Sequence, residues 1–144
     1  MADWKETYRS VVFPWHCDHY GHMNARWYLH HFDDAGFHLW TVVGCSHAEM
    51  RDRGVETVVA QNTINYVKEM TAGELLVIHS GFRRLGNKSV THSHRMLNAD
   101  TGVLHATLDS VEVFFDSKAR SSTVMPDWVR RRLEAVLVEP TTVP

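Results

Sequence analysis

Cysteine is nearly missing from this chain: its 144 residues contain only Cys17 and Cys45, in no paired spacing. That excludes a disulfide framework and a cysteine-built zinc site. Long apolar runs are missing as well. No stretch approaches the ~18 consecutive apolar residues of a membrane helix, and Met1 to Glu6 carries charges where a signal peptide needs an apolar core. The expectation is a cytoplasmic protein with no membrane partner. Neither sign of charge dominates, with 15 Lys and Arg against 17 Asp and Glu. A near-neutral chain has no global basic field for nucleic acid, so an anionic ligand must be met by local cations. No repeat, linker or low-complexity tract breaks the sequence, and the length suits a single domain over 1–144.

What is abundant is histidine. Seven of the 11 (His16, His19, His22, His30, His31, His38 and His47) fall before residue 50. They surround a change of pattern. Tyr8 to Trp15 is β-branched and aromatic, which predicts a first strand ended by Pro14. Tyr28, Phe32, Ala35, Leu39, Val42 and Val43 then recur at spacings of three and four, which predicts a helix over Asn24 to Val43, with Asn24 as N-cap and Gly44 as the stop. Val55 to Tyr66, Leu75 to Phe82, Val90 to Leu97 and Val103 to Phe115 read as strands. The turn signals between them (Thr71–Glu74, Leu85–Asn87, Asn98–Gly102) are short enough for successive strands to pair as a meander of hairpins. Pro126 opens a short C-terminal helix with Val129, Leu133, Val136 and Leu137 on one face, and Pro140 ends it. The order gives an α+β layer structure in which a curved antiparallel sheet wraps one long central helix.

The chemistry concentrates in Trp15-His16-Cys17-Asp18-His19-Tyr20-Gly21-His22-Met23-Asn24-Ala25-Arg26-Trp27-Tyr28, between the first strand and the helix start. A helix N-terminus presents unpaired N–H groups and a positive dipole end, suited to an oxyanion on a substrate. Asp18 stands just upstream, with Gly21 allowing a tight backbone path.

Asp18, Gly21, His22, Asn24 and Tyr28, together with the element order, resemble the hot-dog-fold acyl-CoA thioesterases of the 4-hydroxybenzoyl-CoA thioesterase type. The resemblance covers nearly the whole chain and extends to Lys88-Ser89 after Arg83-Arg84, where the family carries a basic cluster and a serine. It departs at Ala25, where the family often has a second Asn, and in the insertion of Leu85-Gly86-Asn87 before Lys88. The resemblance implies hydrolysis of an acyl-CoA to free acid and CoA, with Asp18 as nucleophile or general base and the Ala25 N–H as oxyanion donor. It also implies substrate contacts from Gly21, His22, Asn24, Tyr28 and Ser89, and CoA-phosphate contacts from Arg83, Arg84, Lys88 and Arg120. CoA then enters as part of the substrate and no cofactor or metal is required. Assembly as a homodimer or homotetramer follows, with sites at the interface.

Two other readings of the same residues stand beside this one. His16, Asp18, His19 and His22 have ligand types and spacing for a metal-dependent hydrolase. A fold of this kind can also bind an acyl-CoA without cutting it. Asp33 and Asp34, beyond the first helical turns, are second-ranked carboxylates, expected to pair with His30, His31 or His38. The aromatic residues around Trp15, Trp27, Tyr28 and Trp40 suit an aromatic or quaternary ammonium acyl group if they line the pocket.

Overall fold

The computed structural model describes residues 2–139. In chain order the elements are β1 (Lys5–Val11), α1 (Ala25–Val42), α2 (His47–Asp52), β2 (Thr57–Tyr66), β3 (Leu75–Leu85), β4 (Ser89–Asn98), β5 (Leu104–Asp116), β6 (Ser121–Ser122) and α3 (Asp127–Glu134). All paired strands are antiparallel, in the order β1-β3-β4-β5-β2, and β6 extends from β5. None of the helices is long and apolar enough to cross a membrane among the described residues.

The long helix forms where its periodicity places it. Asn24 caps it by accepting the Arg26 N–H on its side-chain oxygen. At the other end Gly44 takes φ +95°, its N–H bonds the Thr41 carbonyl, and the Cys45 N–H bonds the Trp40 carbonyl. That pair of bonds is a Schellman stop, which needs the left-handed residue glycine supplies. The buried face of α1 is Tyr28, His31, Phe32, Ala35, Leu39 and Trp40. Val42, expected on that face, is exposed, and His31 and Trp40 are buried instead.

Four bulges, at Glu6/Tyr8, Val59/Gln61, Phe82/Arg84 and Met96/Leu97, interrupt the ladders. Each adds local twist and bends the sheet, which is how it curls around α1. Two apolar clusters result. Tyr28, Phe32 and Ala35 pack with Ile78, Met96 and Leu108, while Leu39 and Trp40 pack with Phe82, Phe114, Val129 and Leu133. The terminal helix α3 closes the second cluster, although Val136 and Leu137 lie past its end and Pro140 is outside the described residues.

Two expectations are corrected. The first strand runs earlier than Tyr8–Trp15, and Pro14–His16 forms a single 3₁₀ turn. Proline has no N–H for a ladder, and its fixed φ suits the opening of a turn. Nor do β2 and β3 form a hairpin: β3 already has β1 and β4 on its two edges, so β2 pairs with β5 at the far side of the sheet. The connection from Val67 to Glu74 therefore crosses the sheet below the start of α1. Its Val67 and Lys68 N–H groups bond the His105 carbonyl, and its Met70 N–H bonds the Tyr28 hydroxyl.

Candidate active site

The segment before α1 is held from three sides. The Met23 N–H bonds the Met70 carbonyl, His22 bridges to Thr71 on the crossing connection, and the Asn24 N–H bonds the His16 carbonyl. Inside this frame Asp18 to Gly21 is a tight turn, with Gly21 N–H on the Asp18 carbonyl and Gly21 at φ +77°. A side chain there would carry the steric penalty of a left-handed residue. The turn fixes the Asp18 carboxylate, which accepts the Tyr20 N–H at 2.9 Å. That N–H holds its pKa below the ordinary value, and the slight burial of the loop opposes the shift without reversing it. Asp18 is thus an ionised, partly accessible carboxylate at neutral pH.

Ala25, the first residue of α1, is exposed. An N–H at this position has no acceptor within its own helix, so it is available to a substrate oxygen at the positive end of the helix dipole. Tyr28, one turn on, is buried, its hydroxyl serving the Met70 N–H and its ring edge-on to Tyr66 at 5.1 Å. The structure thus brings Asp18, Gly21, His22, Asn24 and Ala25 together, with Tyr28 supporting them from beneath.

The proposed phosphate contacts lie elsewhere. Arg83 bonds Asp109 and Ser93, and with Arg84 it borders a shallow cavity lined by Gln61, Thr63 and Thr91 on the sheet face away from α1. Lys88 and Arg120 are exposed, Ser89 opens β4, and the Arg120 guanidinium sits over the Phe115 ring. Asp18 is at the Leu75 end of the sheet, and Ser89 is at the Leu85 end. The ten residue steps of β3 from Leu75 to Leu85 separate those ends by roughly 33 Å, so a single chain does not unite the two groups.

The histidines separate into individual roles. His16 accepts the Phe13 N–H and packs on Trp27, while exposed His19 lies against Tyr20. Among the described residues no group of three or more His, Cys, Asp or Glu is placed to hold a metal. His30 faces Asp34 at 3.6 Å, whereas His31 turns into the core and bonds the Tyr8 hydroxyl. Burial, reinforced by His30 and His16, pushes the His31 pKa down to about 4.

A feature not anticipated from the sequence runs between the two apolar clusters. Thr7, Ser80, His94, His92, Glu112 and Thr57 form a continuous hydrogen-bonded chain across all five main strands, with links of 2.7, 2.5, 2.6, 2.5 and 2.8 Å. Burial would raise the Glu112 carboxyl, but hydrogen bonds from His92, Thr57 and Trp40 outweigh it and hold it below the ordinary value. Burial keeps His94 neutral. At the end of the chain the Glu112 carboxylate, which can only accept, takes the His92 Nε2–H and the Thr57 hydroxyl. Alternation carried the signal: Val90 and Met96 face inward on β4, so His92 and His94 do too.

Glu112 and His92 form the floor of a cavity of about 440 Å³ between α1 and the β2 edge. Its helical wall is Leu29, Phe32, Asp33, Gly36, Phe37 and Trp40. Ala25 precedes Leu29 by four residues and so heads the same stripe of α1.

Comparison with known proteins agrees with this architecture. Residues 11–133 match the family model described as Thioesterase-like superfamily. The probable thioesterase YbaW from Escherichia coli is 25% identical, with a TM-score of 0.78 over 91% of this chain and 98% of that one. SAV2348 from Staphylococcus aureus, solved in complex with CoA, gives a TM-score of 0.84 at 16% identity, covering 99% and 92%. Slr0204 from Synechocystis, a 1,4-dihydroxy-2-naphthoyl-CoA thioesterase, gives 0.75 at 13% identity, covering 88% and 93%. No curated protein sequence matches the chain. The fold is the hot-dog fold.

Proposed function

Because this chain belongs to the thioesterase-like superfamily, we propose that it hydrolyses an acyl-CoA, with Asp18 as the reacting carboxylate and the Ala25 N–H as oxyanion donor. The observation that carries the proposal is the placement of an ionised, accessible Asp18 on a braced turn immediately before the first N–H groups of α1.

The thioester carbonyl oxygen accepts the Ala25 N–H. Asp18 then takes a proton from water as the water oxygen bonds to the carbonyl carbon, or bonds to that carbon itself to give an anhydride that water cleaves. Negative charge gathers on the carbonyl oxygen at the helix N-terminus, where the dipole favours it. Collapse of the tetrahedral intermediate breaks the C–S bond and releases CoA thiolate. A thiol with a pKa of roughly 8.5 leaves without a strong general acid, so one carboxylate suffices. CoA enters as part of the substrate and no cofactor takes part.

The functional unit in this scheme is a homodimer. β2 forms the edge of the sheet, is exposed along most of its length including Val58 and Val59, and borders the open side of the cavity. An unpaired edge of this length invites another strand. Antiparallel pairing of two β2 strands reverses one subunit relative to the other, bringing the Asp18 end of one beside the Ser89 and Lys88 end of its partner. That supports phosphate contacts made across subunits by Lys88, Arg83, Arg84 or Arg120.

The test is thiol release from a panel of acyl-CoA esters by wild type and Asp18→Asn, with light scattering for mass. Release lost in a folded Asp18→Asn protein supports the assignment. Tight binding of esters without release identifies a binding protein instead.

A further inference from the structure

The cavity beneath α1 combines two features that a purely hydrocarbon pocket lacks. Its helical wall presents the exposed Phe37 ring with buried Phe32 and Trp40 behind it, and its floor carries Glu112, an ionised carboxylate with little solvent access. Both Glu112 oxygens are occupied: one accepts Thr57, the other accepts His92 and Trp40. A carboxylate so saturated offers a ligand its field rather than a free lone pair. Asp33 on the facing helix adds a second negative charge; its pKa is raised by burial and then by Asp34 and Glu112, which shows the two cavity acids acting on one another. Glu56 also lines the cavity but is tied to Ser117, and the cation Arg51 is exposed and paired with Asp52. His47 lines the cavity as well, with its Nε2 on the Phe37 carbonyl, so the lining holds three carboxylates (Asp33, Glu56 and Glu112) against the single Arg or Lys cation Arg51.

We propose that this cavity binds the distal end of the acyl group and selects one carrying a quaternary ammonium. A trimethylammonium group has no N–H to donate, so it gains nothing from free acceptors. Aromatic faces and a fixed carboxylate field attract it instead. The position also fits. Leu29, at the near end of the cavity, is one turn beyond Ala25, and Asp33 is two turns beyond it, about 12 Å along the axis. An acyl chain whose carbonyl rests on the Ala25 N–H and which follows that stripe for about 12 Å places a group some ten carbons along beside Asp33 and Glu112. This inference rests on the Asp18–Ala25 reading for the position of the carbonyl.

The decisive comparison uses two ligands of equal shape, 10-(trimethylammonio)decanoyl and 11,11-dimethyldodecanoyl. Each is prepared as the CoA thioester and as a thioether analogue that cannot be cut. Calorimetric titration of the thioethers is expected to show the cationic ligand binding at least about tenfold more tightly. That ratio should fall toward one in Asp33→Asn and in Glu112→Gln, the first of which changes a surface-accessible side chain and leaves the core intact. Equal binding of the two thioethers, preference for the neutral one, no binding of either, or a ratio unchanged in both variants overturns the proposal. Hydrolysis of the two thioesters is scored separately. Cleavage of either by wild type and not by Asp18→Asn upholds the thioesterase reading whatever the binding ratio, and failure to cut a ligand whose analogue binds rejects that reading alone.

Discussion

The Nε2 of His92 lies 2.5 Å from a carboxylate oxygen of Glu112, and this contact ends the buried chain that reaches back through His94 and Ser80 to Thr7. An ionised carboxylate only accepts, so His92 donates to it from Nε2, as the Thr57 hydroxyl and the Trp40 indole N–H do from their sides.

Glu112→Gln removes the charge that these donors share. The new side-chain NH₂ faces the Thr57 hydroxyl, which turns from donor to acceptor, and the amide oxygen keeps His92 and Trp40 in weaker hydrogen bonds that the carboxylate charge no longer strengthens. The expected loss is about 1–3 kcal/mol of unfolding free energy, read by chemical denaturation. A variant as stable as wild type contradicts a carboxylate that stabilises the fold through these hydrogen bonds.

Ala25→Pro separates the oxyanion donor from the fold. Proline is favoured at the first helical position, and Asn24 at ψ 147° already has the extended backbone required before it. The N–H is replaced by the ring Cδ, and the helix start is otherwise kept. Turnover should fall by about 10²–10³ with the melting temperature held within a few degrees. Wild-type turnover in this variant rejects Ala25 as the donor.

The rate of thioester cleavage should show no titration of Asp18 between about pH 5 and pH 8. The Tyr20 N–H keeps the carboxyl below its ordinary 3.8, so it is ionised across that range. A limb near pH 6.5 in kcat/KM assigns the base to a histidine of the loop instead.

Stability, in contrast, should depend on pH through His31. Its pKa is about 4 in the fold against 6.5 for the free side chain, so between these values the unfolded chain binds a proton that the folded one refuses. Its contribution is constant above about pH 6.5, is lost as pH falls from there to about 4, and changes no further below that. The loss reaches at most about 3 kcal/mol for this residue, and buried His94 adds in the same direction. Urea denaturation at pH 7.5 and pH 5 reads the slope, which His31→Phe should flatten.

The sequence by itself determined what neighbours along the chain decide. Asn24, Ala25 and Gly44 bound the helix because caps and stops are local, and Asp18 with Gly21 is a turn before a helix start in any fold. The strands were legible from their alternation to within a few residues. Tertiary structure decided the rest. The pairing of β2 with β5 depends on which strand edges remain free, which no short window contains. Thr7 and Ser80 are 73 positions apart, and His92 and Glu112 are 20 apart. Each looks like an ordinary polar strand residue until the sheet register lays them side by side. The cavity follows the same rule: Asp33 reads as a solvated helix charge, and only the curl of the sheet sets it opposite Glu112. Local hydrogen-bonding preferences are written in adjacent residues, whereas electrostatic fields and cavities arise from groups that meet only when the sheet closes around the helix.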